Sequence, residues 1–507
     1  MRIGFGSGSW RDPPRGASGN ASPPRYAARP VETRRSALAG SLASGGLEVA
    51  RLAELGIAEP EATAAAIAEA VADPDLGASA PRWIDALLAS ARPAFGARSL
   101  LALAVAGRRD GAPLDLARTP WLAALLGNSS ALARALQRHP EWLADLAGDP
   151  PSPPPPEPPS ADWAAIRAAK YRGLSRIAAR DLAGRPFEQS LRELSDLADR
   201  CLCAALACAA EETGGAPPAL FALGKLGGRE LNFSSDVDLL FVYDVPAGAD
   251  PLDAQQSTSR LIQHMKARLE QPEGDGFGYR VDLNLRPEGR AGVLANPVDA
   301  ALAYYEGFGA EWERQMLIRL RAVAGPQAPA ARFEAGIAPF VYRSLIGPDV
   351  MRGVREMKAR IEAERSAAGR DLDADLKEGP GGIRDVEFLV QAFQLFYGGR
   401  IARLRTGNVL LALRTLGEEE LLPPPVIASL CDAYLWLRRA EHSLQLADEQ
   451  QTARVPARPE ARVELARRMG YRDARAADAL ARFQDDWSAV RSEVRRHFEA
   501  LVLGGDA

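Results

Sequence analysis

The 507-residue chain is poor in several things, and each shortage excludes a class of protein. It has no basic excess: 62 Lys and Arg stand against 66 Asp and Glu, a formal net charge of −4, so no global field draws it to nucleic acid. Aromatic residues make up only 7% and supply no stacking platform for a single strand, so no nucleic-acid partner is expected. Its four cysteines, Cys201, Cys203, Cys208 and Cys431, and its four histidines show no zinc spacing. The cysteines read as small residues of a reducing cytoplasm, not as a disulfide frame. Uncharged apolar runs such as Cys201 to Ala210 fall far short of the roughly 18 to 20 residues that cross a bilayer. A soluble, cytoplasmic protein with no membrane partner is the expectation.

What is present is enough chain for two to four domains. Residues 1–45 read as a disordered leader: the first 35 carry seven Arg, two acids and many Gly, Pro and Ser, without the apolar stretch of a secretory signal. Residues 46–150 are Ala/Leu-rich with helical spacing and predict a helical region. The proline tract within 151–160 predicts a stiff surface spacer. Residues 161–330 begin with two helices, Trp163 to Ala183 and Pro186 to Ala209, and continue as an α+β section; residues 331–507 read as helix again.

The α+β section carries the chemistry. Ala219 to Asp244 reads as a strand, a glycine-rich turn and a second strand on which Asp236 and Asp238 share one face while Val237 and Leu239 point into a core. Like charges side by side favour a hard cation between them. In the turn, Gly224, Lys225, Gly227 and Gly228 offer close backbone approach and a mobile positive charge for phosphate oxygens. A further strand over Tyr279 to Leu285 places Asp282 on its polar face and Val281, Leu283 and Leu285 on its apolar one. Three carboxylates on two strands suit metal-assisted displacement at phosphorus; an ion-pair network of purely structural purpose is the competing reading.

Farther on, Asp375-Leu-Lys-Glu-Gly-Pro-Gly-Gly-Ile-Arg-Asp-Val-Glu-Phe388 sets Gly381 and Gly382 at a helix start flanked by Lys377 and Arg384, a second anion-binding candidate. On that helix Arg384, Glu387, Gln391 and Gln394 form one polar stripe. His442 reads as a buried, hydrogen-bonded residue.

Several of these segments occur together in an unusual order: Gly-Lys-Leu-Gly-Gly-Arg-Glu-Leu-Asn-Phe-Ser-Ser-Asp-Val-Asp-Leu, then Arg-Val-Asp-Leu-Asn-Leu-Arg-Pro-Glu-Gly-Arg, then Tyr304-Tyr-Glu and Glu311-Trp-Glu-Arg-Gln. From about Leu132 onward the chain resembles the glutamine synthetase adenylyltransferase/deadenylylase family. The resemblance implies a polymerase β-like nucleotidyltransferase domain embedded in a mainly helical α+β chain, with Mg²⁺ on Asp236, Asp238 and Asp282. It implies nucleotide contacts from Gly224, Lys225, Gly227, Gly228, Ser235 and Arg286, and a phosphate pocket at Lys377, Gly381, Gly382 and Arg384. The family usually joins two catalytic halves, and this chain resembles the first, which removes AMP from a tyrosine of glutamine synthetase by phosphorolysis. Implied partners are glutamine synthetase, the PII signalling protein and a separate chain bearing the second half. AMP transfer from ATP and a non-catalytic binding module remain the alternatives. Asn284 and Glu378 depart from the family pattern, the second adding an anion beside the expected phosphate pocket.

Overall fold

The computed structural model describes residues 32–343 and 372–503, except 47, 112, 149, 150, 156, 158, 275 and 472–475. The first 31 residues of the expected leader lie outside these. Its last part, expected to be disordered, is folded: Glu32–Ala43 is a helix that buries Leu38, Ala39 and Leu42. Arg35 fixes it to the Ala80–Leu88 helix through a two-pronged pair with Asp85, at 2.8 and 2.9 Å. The composition of residues 1–45 hides this apolar stripe among prolines and arginines.

The two helices expected before the sheet are present as Trp163–Leu182 and Phe187–Thr213. Asp162 caps the first by accepting from the Ala165 amide at 2.8 Å. The second runs past its expected end to Gly214, which stops it in the left-handed conformation. The proline tract is pinned alongside the first helix, Arg180 donating to the Pro151 carbonyl at 2.9 Å. One apolar cluster runs from Leu38 to Ala295, so the tract crosses a shared core and does not separate two.

Five strands form a mixed sheet: β1 (Ala219–Ala222), β2 (Val237–Tyr243), β3 (Val281–Asp282), β4 (Asn296–Pro297) and β5 (Arg321–Ala324). The order is β3-β2-β1-β5, with β4 also on β2. β1 lies antiparallel to β2 and β5, whereas β3 and β4 run parallel to β2. The two faces follow the period of two. Val237, Leu239 and Phe241 pack toward the Phe187–Thr213 and Pro251–Glu270 helices. Leu240 and Val242, on the opposite face, are covered by the Val298–Phe308 and Gln327–Val341 helices. Asp236 and Asp238 share that second face where the helical cover stops.

Beyond residue 372 the helices Ile383–Tyr397, Val409–Glu418, Pro424–Asp448, Pro459–Arg468 and Ala476–Phe498 build a core of their own around Leu389, Leu413, Leu437 and Phe483. Ile383–Tyr397 and Pro424–Asp448 close over the carboxylate end of the sheet. Among the described residues no helix is long and apolar enough to cross a membrane.

Candidate active site

The site starts from a register. In the parallel β2/β3 pair Asp238 lies directly opposite Asp282, and Asp236 stands two residues back on the same face. The expected strand over Tyr279 to Leu285 is cut to two residues, which is enough to make this pairing. Gly224 completes the seat: its φ is +52°, and a β-carbon there would stand 2.1 Å from Asp238 Oδ2. Gly224→Ala must therefore push the carboxylate aside, and for the reaction that the sequence resemblance implies a displacement of this size is expected to lower turnover on the order of 100-fold. Unchanged turnover would refute the seat.

Asp238 is perturbed by its surroundings. Burial, followed by the neighbouring Asp282 charge, pushes its carboxyl up to about 6. Among the described residues that carboxylate has no hydrogen-bond or ion-pair partner. Asp282 accepts from the Asn284 amide at 2.7 Å, and Asp236 is held by Arg280 at 2.7 Å and Gln451 at 2.8 Å. With Asp236 so held, no three His, Cys, Asp or Glu side chains of the described residues converge into a finished metal cage. The donor set nonetheless fits a hard dication: three acidic side chains with a repelling, unpartnered carboxylate in their midst.

The acids open onto a cleft of about 480 Å³ that also collects Lys225, Ser235, Lys377 and Arg384. Lys225 is fixed from far along the chain, donating to Glu441 Oε1 at 2.5 Å. Glu441 Oε2 accepts from Asn232 at 2.7 Å, and Arg438 reaches Asn232 Oδ1 at 2.8 Å and Glu441 at 3.4 Å. Burial brings the Lys225 ammonium down to about 8, while Lys225 and Arg438 overcome burial and draw the Glu441 carboxyl to about 2. Both members of the pair are thus charged at neutral pH.

The opposite wall comes from Glu311–Leu317 and Ile383–Tyr397. Arg384, Glu387 and Gln391 of the expected stripe line the cleft, Glu387 pairing with Arg319 at 3.1 Å. Gln394 does not: it is buried and donates to the Leu404 and Thr406 carbonyls. Glu378 pairs with Arg384 at 3.2 Å, so the departure foreseen there does draw on a pocket cation.

Five expected ligand contacts lie elsewhere. Gly227 packs on the Arg319 carbonyl and Gly228 on that of Gly407, and their amides are spent on the Leu223 and Gly224 carbonyls within one helical turn, Gly224–Gly227. Arg286 is buried and donates to the carbonyls of Leu283, Arg290, Gly292 and Val293, shaping its own loop. Gly381 packs on Arg491 backbone, and its amide donates to Asp385 at 2.8 Å. The amides of Gly382, Ile383 and Arg384 bond to Gly379, Leu376 and Lys377 carbonyls, so this helix start is already satisfied from within. His442 is buried as expected but not hydrogen-bonded: among the described residues neither ring nitrogen has a hydrogen-bond partner, Nε2 lying 3.9 Å from Asp181 Oδ2 with the Phe187 and Phe233 rings close by, and burial lowers it to about 4.

Motif reading leaves Trp312, Gln315, Glu441, Gln445 and Gln451 without roles, yet all line the cleft. The spacing of Arg438, Glu441 and Gln445 carries the signal, a polar stripe at i, i+3 and i+7 on a largely buried helix.

Residues 120–336 match the family model for glutamate-ammonia ligase adenylyltransferase, and residues 355–502 match that for GlnD PII-uridylyltransferase. Curated relatives named bifunctional glutamine synthetase adenylyltransferase/adenylyl-removing enzyme include one from Thioalkalivibrio sulfidiphilus, 41% identical over 66% of this chain and 34% of its own length. Another, from Xanthomonas campestris, is 38% identical over 75% of this chain and 43% of its own length. A third, from Streptomyces avermitilis, is 34% identical over 89% of this chain and 46% of its own length. The chain thus spans between about a third and a half of these relatives. With the acidic strand pair lying inside the matched segment, residues 120–336 form a domain of the glutamate-ammonia ligase adenylyltransferase family.

Proposed function

We propose that the cleft removes AMP from the adenylylated tyrosine of glutamine synthetase, with inorganic phosphate as acceptor and ADP as product. A phosphate oxygen bonds to the AMP phosphorus, the phosphorus–tyrosyl oxygen bond breaks, and the tyrosyl oxygen takes up a proton. The observation that carries this reading is the buried, unpartnered Asp238 in register with Asp282, in one cleft with Lys225, Lys377 and Arg384.

Asp236, Asp238 and Asp282 are the residues that would hold Mg²⁺, which supplies charge neutralisation between two anionic reactants. Arg280 and Gln451 orient Asp236 meanwhile. Lys225, braced by Glu441, offers a fixed positive charge to the AMP phosphate, and Lys377 with Arg384 offers one to the incoming phosphate. The polymerase β-like ancestry of the sheet belongs to the same reading. Removal is preferred over addition because of the first-half wording at Leu231-Asn-Phe-Ser-Ser-Asp236 and Arg286-Pro-Glu-Gly-Arg290.

The Glu378–Arg384 pair favours the second reading, transfer of AMP from ATP, since it weakens a separate phosphate pocket. Purified chain mixed with adenylylated glutamine synthetase, phosphate and Mg²⁺ should release ADP. AMP incorporation from ATP, without phosphate-dependent ADP, would make it a transferase. A PII-type regulator is the proposed partner of the C-terminal helices, supported by the family match over 355–502, and a separate chain is the proposed source of the other catalytic half. A cytoplasmic setting follows from such partners.

The raised Asp238 carboxyl sets a pH dependence. Protons compete with a cation at this group below about pH 6, so Mg²⁺ affinity measured by titration calorimetry should weaken by up to tenfold per pH unit there. A flat affinity between pH 7 and 5 would remove Asp238 from the cation site.

A further inference from the structure

The Glu311-Trp-Glu-Arg-Gln motif divides cleanly. Glu313 and Arg314 are buried and hold the backbone, Glu313 accepting from the Ala310 amide at 2.8 Å and Arg314 donating to the Phe340 and Val341 carbonyls. Trp312 and Gln315 instead line the cleft, with nothing in the proposed chemistry to occupy them. Trp312 is 40% exposed, although a large apolar ring in a protein interior normally finds cover, and no ring stacks on it among the described residues. One turn along, Gln315 is only 3% exposed and Gln391, facing it, 8%. Gln315 Nε2 donates to Gln391 Oε1 at 2.6 Å, which leaves Gln315 Oε1 buried without a partner. The Gln391 amide hydrogens likewise meet no protein acceptor among the described residues. The pair therefore presents one unused acceptor beside unused donors, next to an open aromatic face.

We infer that Trp312, Gln315 and Gln391 form a nucleobase subsite that selects a 6-aminopurine. The purine stacks on the indole while Gln315 Oε1 accepts from the exocyclic amino group and the Gln391 amide donates to N7. Adenine displays that donor and acceptor side by side; guanine displays two acceptors on the same edge, so its O6 would face the Gln315 oxygen. Leu285, which leaves the β3 segment three residues after Asp282, lines the cleft together with Met316 and extends the apolar floor from the acids toward Trp312. The subsite rests on the reading of the cleft as an adenine-nucleotide site, and it adds which residues hold the base and tell it from guanine.

Binding of Mg²⁺–ADP and Mg²⁺–GDP to the full chain by titration calorimetry tests it, apart from any turnover. The wild type should prefer ADP. Trp312→Ala should weaken ADP roughly 5- to 150-fold, the range for loss of one base-stacking contact, while Trp312→Phe, which keeps a ring, should lose far less. Gln315→Ala should erode the ADP over GDP preference more than it weakens ADP itself. Circular dichroism on each variant separates a lost subsite from a lost fold. ADP binding by Trp312→Ala equal to wild type overturns the subsite and leaves the proposed reaction standing. Base-selective binding that survives in a protein unable to release ADP from adenylylated substrate supports the subsite and overturns the reaction. Failure of the wild type to bind either nucleotide overturns both.

Discussion

Asp238→Asn is expected to stop AMP transfer in either direction, lowering turnover on the order of 10³-fold or more, without loosening the fold. The amide keeps the shape that fits against Gly224 but removes the charge a cation needs. Its effect on stability runs the other way. Burial and Asp282 raise this carboxyl to about 6, so the folded protein binds its proton more tightly than the unfolded chain does. Ionised Asp238 is therefore a burden on the fold above about pH 6 and none below about pH 4. A neutral amide lifts that burden, and the urea midpoint at pH 7 should be equal to or above wild type. A tenth of wild-type turnover remaining, or a clear fall in midpoint, would mean that Asp238 serves the fold and not the reaction.

Glu441→Ala should be the most destabilising single change at the site, by about 3–5 kcal/mol, because it strands Lys225 as a buried charge without a counterion and leaves Arg438 only Glu230, at 3.8 Å. Urea unfolding at pH 7 reads this directly, and a loss below about 1 kcal/mol would show that the pair is incidental. The pH course is fixed by sign. A carboxyl lowered in the fold from its usual 4.5 to about 2 contributes stability in full above about pH 4.5 and loses it as pH falls toward 2. Glu441→Gln should flatten that acid limb.

How much of this was legible in the chain depends on what kind of contact made it. Period-two alternation placed Asp236 and Asp238 on one face, and Asp282 on the polar face of its own strand, because strand geometry is local and leaves no choice, whereas setting Asp282 opposite Asp238 took the β2/β3 register. The two helices before the sheet were likewise read from the chain, as Trp163 to Ala183 and Pro186 to Ala209, the second stopping short of its observed end at Thr213. Gly381 and Gly382 show where local rules fail: a glycine pair at a helix start predicts free amides, but Asp385 and the carbonyls of Leu376 and Lys377 consume them. Arg286 fails for a related reason. An arginine just past an acidic strand suits a nucleotide or its own loop equally, and only the four carbonyls it meets decide. Glu441 and Gln315 reach the acids through pairings between segments far apart in sequence, which no window of neighbouring residues contains.

The bond between Lys225 and Glu441 joins residues 216 positions apart. A ribosome adding about 5–20 residues per second needs about 10–40 s to make that stretch. Once Asp282 has been made all three strand acids exist, but the lysine that would face the phosphate still has no counterion to hold it, and the Pro424–Asp448 helix that closes the wall has not been completed. A nascent chain therefore carries the three strand acids well before the residue that fixes Lys225 beside them.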